Sequence, residues 1–403
     1  MRIRPGLRHL FCALCCTLAV TARGDATPDF SAWLAQFRQE ALAQGISPAT
    51  LDAALADLQP LPQVLELDRR QPEFIDTFWN YLDKRLGPQR IERGQAALVE
   101  HKALLDEVQA RYGVPAGILV ALWGLETNYG SHLGDFPIPA ALATLAFDTR
   151  RSDFFRGELL QSLRIIEAGH VAAADMKGSW AGAMGQVQFM PSTYLRHAVD
   201  GDGDGRKNLW TSLPDAFHSA AHFLRELGWQ PGQLWGREVR LPADFDWDSA
   251  RLSVKKPVKA WAELGVTQAD GSPLPDSGLA GAIVLPQGYA GPAFLVYRNF
   301  EVIMGWNRSV HYALAVGHLS DRLLGQTALL GGRAVDNRPL SREQVMEMQR
   351  LLAARGMDVG EVDGVPGAKT RLAIRAWQKA SGLPADGYAS PRLLEQLQAA
   401  SAP

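Results

Sequence analysis

The sequence has 403 residues, of which 47% are hydrophobic and 21% charged, so the chain can bury a substantial core and is not disordered. Its formal net charge of −2 argues against bulk binding of nucleic acid, which requires a strongly basic surface. Because one hydrophobic core rarely serves a chain of this length, we expect more than one domain.

The N-terminal segment has the layout of a secretory signal. Residues 1–26 begin with arginines, continue with an apolar run from Leu10 to Val20, and end among small residues near Ala26. The run is too short to span a bilayer as a helix, and a buried N-terminal helix is the alternative. We therefore predict a signal peptide over 1–26 and export to the periplasm.

All three cysteines, Cys12, Cys15 and Cys16, lie inside this segment. The exported chain would carry no disulfide, which suits an oxidising envelope compartment. A lipid anchor needs small residues before the modified cysteine. The residues before Cys16 fit that pattern poorly and leave the anchor open.

After the signal, the hydrophobic pattern changes twice. Residues 30–229 repeat apolar side chains at helical spacing, which predicts a long helical region. Residues 239–300 contain short apolar runs separated by glycine and proline, which predict a small β-rich subdomain. The helical pattern returns over 311–324. These patterns predict a mainly α fold with a minor β part (α+β).

The C-terminal sixty residues form a separate unit. Residues 326–339 are poor in aromatics and read as a linker. The unit that follows, residues 340–400, contains turn signals at Asp363-Gly364 and Asp386-Gly387, each before a helix start. We predict a compact helical module.

Glu126 lies on the apolar side of a predicted helix that begins near Pro115 and ends near Gly130. At about 100° per residue it falls between Leu119 and Leu122, so its carboxyl points to the interior or into a cleft. Burial favours a protonated carboxylic acid, which can donate its proton to a leaving oxygen. A structural ion pair with a buried arginine explains the same pattern, and helix geometry alone favours that interpretation.

Two sequence blocks resemble a known family. The runs WGLETNYG at 123–130 and GSWAGAMGQVQFMPSTY at 178–194 are similar to the B-type membrane-bound lytic murein transglycosylases, relatives of goose-type lysozyme. The resemblance covers about residues 28–324, and the length of the second block makes it specific. It implies a lysozyme-like catalytic domain over 27–325 that includes the β-rich subdomain.

The resemblance implies both the reaction and the role of Glu126. In that family the glutamate of the first block protonates the glycosidic oxygen between N-acetylmuramic acid and N-acetylglucosamine. It then takes a proton from the C6 hydroxyl of the muramic sugar, which closes a 1,6-anhydro ring. Ordinary glycosidases need a second carboxylate. The second block contains no acidic residue, and in the family the acetamido group of the substrate stabilises the charge at C1.

The family also implies a set of substrate-binding residues. Neutral polar side chains suit hydroxyl and amide groups of a sugar, and an aromatic ring suits its face. A serine at the start of the second block could equally cap a turn. The implied residues are Ser179, Gln188, Trp306, Asn307 and Tyr312.

Two departures from the family pattern affect the expected cleft wall. Trp306 stands where tyrosine is commoner, and an indole can stack and donate one hydrogen bond but lacks the reach of a phenol. His222 and Phe223 stand where the family more often has asparagine and tyrosine, which removes a hydroxyl. We expect these differences to affect substrate register rather than the type of reaction.

Residues 200–205, DGDGDG, have the spacing of a calcium loop, with carboxylates at alternating positions and glycine at the sixth. The twelfth position is Thr211 instead of the closing glutamate, so the strict EF-hand motif fails. The family carries a lengthened loop here, completed by a backbone carbonyl and an aspartate of the next helix. A turn with a local charge cluster is the alternative, and no organic cofactor is predicted. The implied ligands of a structural Ca²⁺ are Asp200, Asp202, Asp204, the carbonyl of Arg206, and Asp215.

The C-terminal unit resembles the peptidoglycan-binding domain type 1, through Gln349, Trp377-Gln378 and the two Asp-Gly turns. The resemblance implies a three-helix bundle whose partners are peptidoglycan glycan strands. From the residues alone a dimerisation module is equally consistent. A tethered module would raise the local concentration of enzyme on the polymer. The sequence is compatible with peripheral envelope association, and it leaves the oligomeric state open, with a monomer favoured.

Three other functions compete with a lytic transglycosylase of cell-wall turnover or remodelling. A muramidase would use the same acid and admit water, leaving a reducing end. A wall-binding scaffold without activity would tolerate loss of Glu126, but the block around it is intact. A zinc peptidase could use His218 and His222, four residues apart, but Ser219 stands where a zincin needs glutamate.

Overall fold

The computed structural model describes residues 29–69, 76–148, 150–331 and 338–400. The predicted signal peptide lies outside these residues, as does the middle of the predicted linker. Within the described part of the chain, no helix combines the length and the apolar character needed to cross a membrane.

Six short helices precede the helix that carries Glu126. Three of them begin with proline, whose fixed φ suits the first helical position. Two are capped by hydroxyls that accept a backbone N–H, from Ser47 and Thr77. They are α1 (Phe30–Ala43), α2 (Pro48–Leu55), α3 (Pro62–Arg69), α4 (Phe78–Arg85), α5 (Pro88–Glu100) and α6 (Lys102–Tyr112).

The central helix α7 (Ala116–Thr127) is apolar on nearly every side and is buried for most of its length. Such a helix must be surrounded by others. The prediction of a helix from about Pro115 to Gly130 is confirmed, with Pro115 directly before its first turn. The elements that follow are β1 (Phe136–Pro137), α8 (Ile138–Phe147), α9 (Ser152–Glu167), β2 (Lys177–Gly178), α10 (Pro191–His197) and α11 (Leu213–Glu226).

The predicted β-rich subdomain is confirmed. Its five strands form an antiparallel sheet in the order β4-β6-β7-β3-β5, with its own small core around Trp261. A single 3₁₀ turn, Trp247–Ser249, follows its first strand. The elements are β3 (Gly236–Arg240), β4 (Lys256–Pro257), α12 (Val258–Glu263), β5 (Thr267–Gln268), β6 (Ala280–Val284) and β7 (Ala293–Val296).

Two further helices complete the large unit. They are α13 (Arg298–Trp306) and α14 (Val310–Leu323), which confirms the helix predicted over 311–324. Helix α14 packs directly against α7 and is buried along most of its length. The start of α14 therefore lies beside the end of α7, where Glu126 is located.

Asp321, near the end of α14, is a largely buried carboxyl whose ionisation should change the stability of the fold. Burial raises the pKa of its carboxyl to about 6, although the indole N–H of Trp235 donates to it at 3.2 Å. Because the folded state holds the proton more tightly than the unfolded state, stability falls as the pH rises from about 4 through 6. We expect Asp321→Asn, which keeps an acceptor for Trp235, to raise the free energy of unfolding by about 1–3 kcal/mol at pH 7.5.

The same substitution should give no gain at pH 4, where Asp321 is protonated in the folded state. Thermal unfolding of both proteins at the two pH values measures this difference. The exposed Asp244→Asn is the matched control and should change neither transition. An equal gain at both pH values would show that the effect does not come from the buried charge.

The C-terminal unit is a three-helix bundle, as expected. Each of its two Asp-Gly turns is closed by a buried glutamine that bonds both residues of the turn. Gln349 pairs with Asp363 and the N–H of Gly364, and Gln378 pairs in the same way with Asp386 and Gly387. The helices are α15 (Arg342–Ala353), α16 (Ala368–Ala380) and α17 (Pro391–Ala399).

This bundle is hydrogen-bonded to the β-rich subdomain. The guanidinium of Arg375 donates to the carbonyls of Trp247 at 2.9 Å and Ala250 at 2.8 Å. The N–H of Tyr289 donates to the carboxylate of Asp386 at 2.8 Å. The two units are therefore joined by direct contacts in addition to the linker.

The described part of the linker is itself attached to the sheet. The backbone N–H groups of Leu330 and Gly331 both donate to the carboxylate of Glu238 on β3, at 2.8 and 2.5 Å. The first part of the predicted linker is thus hydrogen-bonded to the β-rich subdomain.

Candidate active site

Glu126 lies in the last turn of α7 and is half-buried. Three residues in the left-handed region end this helix, namely Asn128 with φ 50°, Tyr129 with φ 58° and Gly130 with φ 76°. Asparagine tolerates this region, but a tyrosine there is strained, and such strain concentrates at functional sites. The phenol of Tyr129 donates to the carbonyl of Arg90 at 2.8 Å, which helps to hold the turn.

The carboxylate of Glu126 is held by two residues about 180 positions later in the chain. Its Oε1 accepts the indole N–H of Trp306 at 2.9 Å and the phenol O–H of Tyr312. Trp306 is the last residue of α13, and Tyr312 lies in the first turn of α14. The sequence predicted both as sugar-binding residues, and the structure places both in contact with the acid itself.

Tyr312 is a hydrogen-bond donor at any physiological pH. It is only 5% exposed, and burial together with the adjacent Glu126 holds its pKa well above the ordinary value for tyrosine. A protonated phenol can donate to the carboxylate and still accept from a ligand. Trp306 and Tyr312 are both neutral donors to the Glu126 carboxyl.

The second sequence block forms a tight loop, and the ring of its Phe189 lies 5.3 Å from that of Trp306, which donates to Glu126. The Oγ of Ser179 accepts the N–H of Ala183 at 3.0 Å, so this serine caps a turn, which was the alternative to sugar binding. The side-chain amide of Gln188 donates to the carbonyls of Leu133 at 3.1 Å and Gly185 at 3.0 Å. Gln188 has φ 51°, and the two bonds fix its side chain while its carbonyl oxygen remains an acceptor.

The sequence reasoning missed Gln186, which joins this loop to α7. Its Oε1 accepts the indole N–H of Trp123 at 2.8 Å, and its Nε2 donates to the carbonyl of Trp210 at 3.0 Å. Its own carbonyl accepts the hydroxyl of Thr127 at 3.0 Å. Gly130 has φ 76°, which favours glycine, and a Cβ there would lie 2.6 Å from the Oε1 of Gln186, so a larger residue would displace this side chain. The signal that could have found it is the repeated glutamine in GQVQF.

Gln186→Leu is expected to lower kcat by about 10-fold or more, because small displacements of a catalytic group are costly. It should also lower the melting temperature, because the buried N–H of Trp123 loses its partner. Steady-state kinetics and thermal unfolding measure both effects. Gln36→Leu on the exposed face of α1 is the control. Unchanged kcat in Gln186→Leu would contradict the role of this cross-link.

The two departures from the family pattern meet beside Glu126. The rings of Phe189, Phe223 and Trp306 form what we call the aromatic wall, with centroids 5.3 to 5.5 Å apart. The ring of His197 lies 4.6 Å from Phe223 on the far side. Asn307 is exposed and directly follows Trp306 at the end of α13. Trp306 and Phe223, which each stand where the family more often has tyrosine, thus pack against each other.

The DGDGDG loop brings three carboxylates together. One oxygen each from Asp200, Asp202 and Asp204 lie within 4.8 Å of one another. Backbone N–H groups of the loop hold them, including those of Gly203 and Gly205 on Asp200. Hard oxygen donors at this spacing suit Ca²⁺.

The other two predicted metal ligands have distinct places. Asp215 lies outside the three-carboxylate cluster, fully buried at the start of α11, where its oxygens accept the N–H groups of Gly201 at 2.7 Å and Asn208 at 2.5 Å. It therefore holds the two ends of the loop together. The N–H of Arg206 donates to Asp204 at 2.8 Å, which places Arg206 on the loop.

The histidines considered for zinc make other contacts. His218 lies 3.4 Å from the phenol of Tyr112, and His222 lies 3.0 Å from the carbonyl of His197. Among the described residues, the DGDGDG loop is the only cluster of three or more side chains with metal-binding geometry.

Comparison with known families agrees with this site. Residues 29–321 match the transglycosylase SLT domain, and residues 341–397 match a peptidoglycan binding domain. The chain is 34% identical over 290 residues to membrane-bound lytic murein transglycosylase B of Escherichia coli K12, covering 68% of this chain and 78% of the relative.

Solved structures extend the similarity to both units. SltB3 from Pseudomonas aeruginosa, in complex with NAG-anhNAM-pentapeptide, is 50% identical with a TM-score of 0.90, over 92% of this chain and all of SltB3. The Escherichia coli lytic transglycosylase Slt35, in complex with calcium, is 30% identical with a TM-score of 0.63, over 72% of this chain and 92% of Slt35.

The expected lysozyme-like transglycosylase fold is thus confirmed. The match to the family extends over most of the chain and includes Glu126, the loop of the second sequence block, and Trp306 and Tyr312, which donate to Glu126. The chain therefore belongs to the lytic transglycosylase family that is defined by the transglycosylase SLT domain.

Proposed function

We propose that Glu126 is the single acid and base of this peptidoglycan-cleaving lyase. The enzyme breaks the β-1,4 bond between N-acetylmuramic acid and N-acetylglucosamine and leaves a 1,6-anhydromuramic end. The observation that carries the assignment is the half-buried carboxyl at the end of an otherwise apolar helix, whose Oε1 accepts from Trp306 and Tyr312. The anhydro sugar in the ligand of SltB3 supports the same type of product.

The acid step requires Glu126 to carry its proton when the substrate binds. Glu126 lies in the last turn of α7 and is half-buried. A carboxylic acid can accept two hydrogen bonds at one oxygen while the other oxygen carries the proton. The two donors are therefore compatible with the acid step.

Two proton transfers complete the reaction. Glu126 gives its proton to the glycosidic oxygen as the bond to C1 breaks, and the acetamido group of the substrate stabilises the positive charge at C1. The C6 hydroxyl oxygen then attacks C1, and its proton returns to the Glu126 carboxylate. One carboxyl serves both steps, in contrast to the carboxylate pair of ordinary glycosidases.

The polar groups around Glu126 suit a sugar ligand. Gln188 keeps its side-chain carbonyl as an acceptor, and the hydroxyl of Ser179 can donate while it accepts from the turn. Asn307, next to Trp306, has an exposed amide, and the aromatic wall offers a flat apolar face. We assign substrate contacts to Ser179, Gln188, Trp306, Asn307 and Tyr312.

We further propose that the DGDGDG loop binds a structural Ca²⁺. Three carboxylates within 4.8 Å repel one another without a cation, and calcium prefers six to eight oxygen ligands. Asp200, Asp202 and Asp204 would supply side-chain ligands, with the carbonyl of Arg206 and Asp215 from α11. The calcium complex of Slt35 supports the proposal.

The cellular setting proposed for the enzyme is the periplasm. The support is the signal-like pattern of residues 1–26 and the nature of the substrate. Residues 340–400 would hold the enzyme on glycan strands, which raises the local concentration of the catalytic unit.

Digestion of purified sacculi tests the reaction type. Mass spectrometry of the released muropeptides should find anhydro products, each one water lighter than hydrolysed products, and Glu126→Gln should release none. Hydrated ends would identify a muramidase instead. If the parent protein bound sacculi but released no fragments, it would be a wall-binding scaffold instead.

A further inference from the structure

The two donors to Glu126 are chemically different. A phenol O–H can donate or accept, whereas an indole N–H can only donate. The indole of Trp306 lies 2.9 Å from Oε1, so this contact requires Oε1 to be an acceptor. If Glu126 is protonated while the contact persists, the proton must be on Oε2.

The indole is fixed in position by the aromatic wall. Its ring is 5.3 Å from Phe189 and 5.4 Å from Phe223, in tilted arrangements that suit ring quadrupoles. Phe189 directly follows Gln188 in the loop of the second sequence block, and Phe223 lies on α11. The wall therefore leaves the indole little freedom to turn its N–H away from Oε1.

We propose that Trp306 is a positioning residue that keeps Oε1 of Glu126 as a permanent acceptor and assigns the transferred proton to Oε2. The inference rests on the proposed role of Glu126 as acid and base. The proton leaves Oε2 for the glycosidic oxygen, and the proton of the C6 hydroxyl returns to Oε2. A single oxygen thus performs both steps, and the carboxyl need not rotate between them.

The substitution Trp306→Phe tests this role because it keeps an aromatic ring in the wall and removes only the donor and part of the ring. We expect kcat on a defined glycan to fall by about 10- to 100-fold, with KM changed by about twofold or less. The N–H also stabilises the carboxylate after the acid step. Its loss should move the alkaline limb of the pH profile upward by roughly one pH unit.

The substitution Trp306→Tyr is the rescue variant. It restores a donor, so the alkaline limb should return toward that of the parent and kcat should recover to within about 10-fold of it. Thermal unfolding of both variants shows whether the wall has been disrupted. If Trp306→Phe does not fold, the pH profile of Trp306→Tyr tests the inference by itself. An alkaline limb of that profile at a pH far from the parental value would contradict a donor role for Trp306.

Two results would overturn the inference. A Trp306→Phe enzyme with a raised KM, parental kcat and a parental pH profile would make Trp306 only a sugar-binding residue. Equal pH shifts in the Phe and Tyr variants would trace the effect to the wall instead of the N–H. Both results leave the proposed function intact if Glu126→Gln is inactive, whereas activity in Glu126→Gln would remove the proposed function itself.

Discussion

Glu126→Gln is expected to lower kcat/KM on peptidoglycan by about 10³-fold or more, because general acid–base catalysis contributes about 10²- to 10⁴-fold and here one group performs both steps. The glutamine still accepts from Trp306 and Tyr312 through its amide oxygen. Folding should therefore be unchanged. The measurement is the rate of anhydro-muropeptide release from sacculi, together with thermal unfolding of the same samples.

Glu92→Gln is the matched control for this experiment. Glu92 is exposed on α5 and the substitution makes the same chemical change, so its rate should equal that of the parent. If Glu126→Gln retained even a tenth of the parental rate with an unchanged melting temperature, another group would have to be the acid.

Removal of calcium is expected to lower the melting temperature of the large unit by about 5–10 °C. A ligand at 100 times its dissociation constant stabilises the folded state by about 2.7 kcal/mol, and each kcal/mol shifts the transition of a domain this size by about 2–4 °C. The three clustered carboxylates should also repel one another more strongly without the cation. Thermal unfolding in calcium and in excess chelator measures the difference.

Asp204→Asn localises this effect to the loop. The amide can still accept the N–H of Arg206, but it is a poorer calcium ligand and carries no charge. The variant should lose most of the calcium response, while Asp244→Asn should retain it. A melting temperature that is independent of calcium in the parent protein would contradict the proposed metal site.

The elements were largely predictable because their signals are local. The helix around Glu126, the β-rich residues after 239 and the helix after 310 all follow from hydrophobic period and from glycine and proline. The Asp-Gly turns of the C-terminal unit were also found. Gln349 and Gln378 were named as part of the family resemblance, but their bonds to the turns were not predicted, because Gln349 lies 14 residues before its aspartate and no local rule joins the two.

The contacts between the two units were not predictable from the sequence. The composition of residues 326–339 predicts a linker, but it does not predict which residues the backbone groups of that linker will bind. The N–H groups of Leu330 and Gly331 find Glu238 more than 90 positions earlier. Arg375 likewise finds two carbonyls of the β-rich subdomain. The predicted domain limits, including that of the signal peptide, stay predictions.

In the candidate site, too, local patterns predicted some residues, whereas the positions of others depend on how the helices pack. Glu126 was identified from its place on a helix and from the similarity of the blocks at 123–130 and 178–194 to a family. Asp200, Asp202 and Asp204 were identified from their spacing, and the structure brings their carboxylates together. The position of Asp215 outside that cluster could not be foreseen, because it depends on how α11 packs under the loop.

The sequence by itself thus predicted the acid and the type of reaction through the family resemblance of two short blocks, and it predicted the two-unit plan through local patterns of residues. Only the tertiary structure decided what surrounds the acid. Trp306 and Tyr312 reach Oε1 from about 180 residues away because α14 packs against α7, and Phe223 meets Trp306 because α11 lies beside them. Contacts at that separation are set by side-chain packing in three dimensions, which a linear pattern does not encode.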